Sequence, residues 1–187
     1  QYILHKLFTI DKSIKDNLKN YNFHKLYKEL LNFCNLDLSS FYFDIRKDVL
    51  YCDNINSQKR KDCVIVLNII LESLLKWFAP ILVFTTEEIY SLVNNKEESI
   101  HEQALVAIPA KWQNIELNEK WIKLFKIKQE ANIAIEEKRA NKEIGSSLEA
   151  SLTININKKL LDLTSNIDFA ELCITSSAEI FEHKNED

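Results

Sequence analysis

The sequence predicts a mainly α protein: a helical bundle over residues 1–115, then a long linking helix and a small α/β subdomain over residues 116–187. Three observations lead there. The 187 residues are 46% hydrophobic yet include one Gly and two Pro, and open sheets or sandwiches draw on glycine for their positive-φ corners. Through the first part of the chain apolar residues recur every three or four positions, the period of a helix with one buried face. Further on the composition shifts to a charged helical stretch and then to one alternating segment. Length and apolar content suffice for a core without metal or disulfide staples.

Ile3, Leu4, Leu7, Phe8 and Ile14 place a first helix over Tyr2 to Leu18. Over Tyr21 to Leu36, Phe23, Tyr27, Leu30 and Cys34 make an apolar stripe widened by Leu26 and Phe33, with His24, Lys28 and Asn32 opposite. Asp37 and Ser39 have the chemistry of N-caps for a further helix in which Phe41, Ile45 and Val49 share a stripe and Arg46 and Lys47 project away. CDNINSQKRK reads as a loop and a new helix start with Ser57 as cap. The helix that follows has a broad apolar face (Val66, Leu67, Ile70, Leu74, Trp77) and a narrow wet stripe (Asn68, Glu72, Lys76), as the central helix of a bundle would.

Pro80 lacks an N–H and disfavours a helical Ala79, so the helix is expected to break there. Thr85 and Glu88 have capping-box spacing and open TEEIYSLV, with Ile89, Leu92 and Val93 expected inward. NNKEES ends that helix, and Ile100 to Pro109, lacking a period, reads as a connector. Trp121, Leu124, Phe125, Lys128, Ile135 and Arg139 belong to a charged helix over Asn118 to Lys142, with Gly145 expected as its left-handed cap. Ser147 to Asn155 alternates Leu148, Ala150, Leu152 and Ile154 with Glu149, Ser151 and Thr153 and is expected as a strand; Lys158 to Ser165 is expected as a short helix and Glu171 to Thr175 as a second strand.

Several function classes lose support. The longest apolar stretch, Val64 to Phe84, is broken by Asn68, Glu72, Ser73, Lys76 and Pro80, so a soluble, cytoplasmic chain is expected, with no membrane partner. Cys34, Cys52, Cys63 and Cys173 have no CxxC spacing and read as reduced thiols in mostly apolar surroundings. The chain opens at QYILHKLFTIDKSIKDN and has no Met, as the inside of a longer protein would. His5, His24, His101 and His183 are isolated in sequence and read as ordinary surface, connector or tail residues, and HExxH, a glycine-rich phosphate loop and a Walker lysine are all absent. Glu87 and Glu88 are adjacent rather than paired on one face, and capping explains Glu88 better than acid–base chemistry. Asp44 and Asp48 share a helical face, yet Arg46 and Lys47 beside them favour intrahelical ion pairs over a metal. Neither a catalytic residue nor a metal ligand is assigned.

Basic residues are the stronger signal. Arg46 and Lys47 precede a loop, and Lys59, Arg60 and Lys61 open the next helix, so all five can meet at one end of a helical hairpin, with Tyr51 available to stack on a base. Cations there would hold phosphates rather than read bases. Asp44, Asp48, Asp53 and Asp62 nearly cancel the charge, and an ordinary solvated face accounts for the same pattern. Lys138, Arg139 and Lys142 repeat it more weakly near a helix end, where cations also suit the dipole.

DLSSFYFDIRKDVLYCD, then Arg60, then LLKWFAPILVFTTEEIY and finally AIEEKRANKEIGSSLEASLTI, together spanning Asp37 to Ile154, resemble the C-terminal region of class I aminoacyl-tRNA synthetases of the isoleucine, valine and leucine group. The likeness is greatest to the bacterial isoleucyl branch, with valyl or leucyl counterparts as the near alternative. The resemblance implies an anticodon-binding helical bundle with a small α/β extension, set after a Rossmann catalytic domain and an editing domain. It implies tRNA(Ile) and those domains as partners, a monomeric parent, and ATP and Mg used by the catalytic domain. HIGH-like and KMSKS-like signatures are absent here, so no catalysis is implied for this segment. Lys47, in the KDVLY match, and Arg60 are the first RNA-binding candidates, followed by Arg46, Lys59 and Lys61, with Arg139 and Lys142 as a second group beside IGSSLEA. Many bacterial members continue into a cysteine-rich zinc module, which this sequence, ending FEHKNED, does not contain. A noncatalytic scaffold that docks proteins through exposed aromatics is the reading from a different class.

Overall fold

The computed structural model describes residues 1–94 and 98–183 and is mainly α, a helical bundle with a small α/β extension. The chain divides into two compact units, Gln1–Asn114 and Ile115–Asp187.

The first unit contains α1 (Tyr2–Lys19), α2 (Phe23–Asn32), α3 (Asp44–Tyr51), α4 (Gln58–Phe78) and α5 (Val83–Asn94). Its core is built on Leu7 and Ile14 of α1, Leu26 and Leu30 of α2, and Ile70 and Trp77 of α4, all essentially without solvent contact. Each large aliphatic side chain buried there contributes roughly 1.5–3 kcal/mol relative to exposure. On α2 the buried line is Leu26 and Leu30, continued by Phe33, whereas Phe23 and Tyr27 are each 43% exposed. The predicted stripe was therefore centred one position off, because both aromatics sit on its edge.

Asp37 and Ser39 do not cap a new helix. Between α2 and α3 the chain stays helical over Phe33–Phe43 in the wider π form, whose hydrogen bonds run between residues five apart. Phe33 and Leu38 are accordingly both buried, and the Ser40 hydroxyl donates to the Asn35 carbonyl five residues back at 2.8 Å. Asp37 instead forms a 3.1 Å ion pair with Lys6 of α1. Burial pushes its carboxyl pKa up, and Lys6 opposes that shift. Phe41, Ile45 and Val49 are buried together as expected.

Helix α4 stops at Phe78, one residue before Ala79–Pro80, as the proline requires. The path past it is tight: the Ile81 and Leu82 amides both donate to the Phe78 carbonyl, at 2.8 and 2.7 Å. Helix α5 consequently begins at Val83, and Thr85 lies inside its first turn, so no capping box opens it. The face turned inward also differs from expectation. Thr86 and Tyr90 are buried, Tyr90 in a cluster with Leu75, Ala79 and Ile100, while Ile89 is exposed and Leu92 and Val93 are 78% and 55% exposed. The position of α4 selects the buried side of α5, and that side is not the more apolar one. Glu87, rather than Glu88, has the capping role: its Oε2 accepts from the Ser99 hydroxyl at 2.9 Å and from the Ile100 amide at 3.0 Å. Of NNKEES, residues 95–97 lie outside the described residues. The connector after it contains two short 3₁₀ turns, Ile100–Glu102 and Ala110–Trp112.

His5 is not a surface residue. It is buried, and its Nδ1 accepts from the Asn114 amide at 3.0 Å. The other described histidines are exposed.

The second unit contains α6 (Ile115–Ala140), β1 (Ser151–Ile156), α7 (Lys158–Thr164), α8 (Phe169–Cys173) and β2 (Ser177–Glu182). β1 and β2 pair in parallel, with Ser151 opposite Ser177 and Ile156 opposite Glu182. A parallel pair needs a crossover, which α7 and α8 supply. The expected strand over Glu171 to Thr175 is therefore wrong. Asp168 caps α8 by accepting from the Glu171 amide at 3.0 Å, and Ile174, at φ 58°, terminates it. A short apolar run such as ELCI does not separate strand from helix by period alone, and here the cap decides. β1 starts later than expected, a 3₁₀ turn occupying Ser147–Glu149, but its phase holds: Leu152, Ile154 and Ile156 share the more covered side. Leu148 is exposed.

Gly145 is not the left-handed cap of α6. Lys142 takes that conformation, at φ 59°, and no glycine has positive φ. The Gly145 amide donates to Glu149 Oε2 at 3.0 Å.

Candidate nucleic-acid interface

The hinge between α3 and α4 is built by short polar side chains. The Cys52 and Asp53 amides close on the Asp48 carbonyl at 2.8 and 3.3 Å, and the Asn54 side chain accepts from the Asn56 amide at 2.8 Å. Ser57 occupies the N-cap position of α4, as expected, but its hydroxyl donates to Asp53 Oδ2 at 3.3 Å and does not accept from the helix. Ser57 thus gives the first turn of α4 no side-chain cap, and that turn has no acidic residue, while Lys59, Arg60 and Lys61 stand in it. Cations at a helix start oppose the positive end of its dipole, and the first-turn amides, which the Ser57 side chain does not cap, add to the same local positive potential.

Tyr51, the last residue of α3, is 85% exposed, and Ile55 at the tip of the hinge is 71% exposed. Sequence reading did not single out Ile55, although an isoleucine inside CDNINSQK was the visible signal. Lys59 and Lys61 are exposed and Arg60 is half-buried.

The α3 cations are engaged within the unit. Lys47 Nζ lies 2.7 Å from Asp44 Oδ1, one turn earlier in the helix. The hydrogen bond to Asp44 and its charge hold the Lys47 pKa above the ordinary lysine value. Arg46 is half-buried, and its charge acts on Tyr42. Burial raises the Tyr42 pKa, with Arg46 opposing. Two of the acids that nearly cancel the charge also have local partners, Asp53 with Ser57 and Asp62 with Gln58 Nε2 at 2.7 Å.

Arg139 and Lys142 belong to the second unit, at the end of α6. Arg139 pairs with Glu136 at 2.6 Å, and Lys138 pairs with Glu143 at 2.6 Å, an interaction that lowers the Glu143 pKa. Arg139 and Lys142 border an open cleft of about 660 Å³ together with Glu136, Glu143 and Glu149, so carboxylates outnumber cations there.

Among the described residues no group of three or more His, Cys, Asp or Glu side chains could hold a metal ion, so these residues offer no donor set for zinc. All four thiols are free: Cys63 and Cys173 are buried, Cys34 is half-buried and Cys52 is exposed. No described helix is long and apolar enough to cross a membrane.

Residues 1–154 match the family described as the anticodon-binding domain of tRNA ligase, and the chain belongs to that family. Within it, the chain is similar to isoleucine–tRNA ligases. It is 57% identical to that of Pelagibacter ubique over 187 residues, all of this chain and 21% of the relative. It is 42% identical to that of Agrobacterium fabrum over 179 residues, 95% of this chain and 18% of the relative. With that of Bartonella quintana the identity is 42% over 181 residues, 96% of this chain and 19% of the relative. The chain spans about one fifth of the length of these relatives.

Proposed function

We propose that this chain is the anticodon-binding portion of an isoleucine–tRNA ligase and that it grips tRNA(Ile) by the anticodon stem and loop. Attachment of isoleucine with ATP belongs to the catalytic part of the parent, a cytoplasmic monomer, and binding energy gathered here raises the efficiency of that distant step. The observation that supports this reading best is the start of α4, where three cations stand in a turn that the Ser57 side chain does not cap, beside the exposed Tyr51. Cations at a helix start oppose its dipole, and a phosphate brought there is attracted by both. Lys59, Arg60 and Lys61 hold backbone, and Tyr51 stacks on a base. Lys47 and Arg46 contribute after exchanging their internal partners, and Arg139 with Lys142 forms a second contact. Similarity to isoleucine–tRNA ligases favours isoleucine over valine or leucine.

The test is binding of this chain to tRNA(Ile) and to a noncognate tRNA across a salt series. Preferential, salt-sensitive binding is expected, with Arg60→Ala and Lys61→Ala each lowering the slope of log affinity against log salt by about 1. A protein-docking role is the second reading, supported by Phe84 and Leu92 of α5, exposed at 89% and 78%. Indifference to tRNA at low salt would favour it.

A further inference from the structure

We infer that the open edge of β1 receives a third strand from the parent ligase, supplied by polypeptide outside these 187 residues. The inference rests on the proposed reading of the chain as part of a longer ligase.

Four observations within the second unit converge on that edge. First, the sheet is a two-stranded parallel pair, and parallel sheets are normally larger and covered. Second, the carbonyls of Ala150 and Ile156 accept from the amides of Ser176 and His183, at 3.0 and 2.7 Å. Backbone groups alternate sides along a strand, so even-numbered residues of β1 address β2, and the N–H and C=O groups of Ser151, Thr153 and Asn155 point to the opposite edge.

Third, a groove of about 450 Å³ runs along β1. All five consecutive residues Leu152–Ile156 line it. Its other wall is mainly apolar, with Ile127, Ala131 and Ala134 of α6 and Leu160 of α7. Fourth, β1 reads SLTINI, without the charge, proline or bulge by which proteins blunt a solvent-facing edge.

The occupant is therefore an extended segment with backbone groups for Ser151, Thr153 and Asn155 and alternate apolar side chains for the groove. Among the described residues Lys126 alone supplies a cation to its lining, which does not suit nucleic acid. The parent chain is the source because about four fifths of the aligned relatives' length lies outside the match, and a tethered strand binds at high effective concentration.

The test uses the full-length ligase and residue-resolved amide hydrogen exchange. The amides of Thr153 and Asn155 are expected to exchange as slowly as those of Leu152 and Ile154, on the order of 100-fold or more slower than an open edge. Thr153→Pro deletes one outward donor and leaves the β1–β2 ladder complete. It should therefore abolish protection at Asn155 while Leu152 and Ile154 stay slow. Open-edge exchange at Thr153 and Asn155 in the wild-type ligase overturns the inference. Protection that appears only on raising the protein concentration, pointing to a second copy, or only on adding tRNA also overturns it. Aminoacylation of tRNA(Ile) by the same preparation tests the underlying reading separately, and the amide comparison decides the strand whichever way that assay falls.

Discussion

The Nδ1 atom of His5 accepts a hydrogen bond from the backbone amide of Asn114, 3.0 Å away, joining the first turn of α1 to the end of the first unit. The ring is buried and must be neutral to accept. Burial first, and the charge of Lys6 second, lower its pKa below the ordinary value of 6.5. Below that value the unfolded chain binds a proton that the folded ring resists, so this site's stability is present above pH 6.5 and falls on acidification toward the depressed native pKa. Thermal midpoints measured from pH 7.5 to pH 5 should decline, and His5→Gln should flatten that decline. A slope unchanged by the substitution would remove His5 from the account.

Lys47 spends its charge on Asp44. If Lys47 holds phosphate in the complex, the two partners compete, and Asp44→Asn should strengthen tRNA binding a few-fold at low salt while Lys47→Ala weakens it. A double variant no different from Lys47→Ala would show that Asp44 acts only through Lys47. Weakening by Asp44→Asn would contradict the competition.

Positions 142 and 145 have the opposite roles from those their residue types suggest. Lys142→Gly relieves a left-handed lysine and should stabilise the second unit by about 1 kcal/mol. Gly145→Ala meets only the Glu149 carboxylate, 3.2 Å from the added Cβ. That side chain can shift, so a change within about 0.5 kcal/mol is expected. Urea unfolding of both variants checks the pair, and a large loss at Gly145→Ala would restore the glycine as the cap.

Glu87 accepts two hydrogen bonds from the segment that follows α5. Glu87→Ala leaves the Ile100 amide without that acceptor and should cost about 1–2 kcal/mol in urea unfolding. Glu88→Ala should be near neutral. Equal effects at the two positions would refute the assignment.

Local pattern was enough for the mainly α character, for α1, α4 and α6 within a few residues, for the break before Pro80, and for the phase of Leu152 and Ile154 in β1. Periodicity and the missing N–H of proline are properties of a short stretch of chain and need no partner to be read. Grouping Lys59, Arg60 and Lys61 at one helix start was legible for the same reason, since three neighbours in sequence share a turn.

Tertiary structure decided the rest. Thr86 and Tyr90 face inward on α5, leaving Leu92 outside, because α4 and Ile100 lie on that side. Asp37 went to Lys6 instead of a helix cap because α1 passes beside the π-helical segment. Arg46 lies where its charge acts on Tyr42, and β2 lies beyond an Asp168-capped helix. In each case a side chain's fate depended on which element lay opposite it, and a partner distant in sequence leaves no trace in a local period.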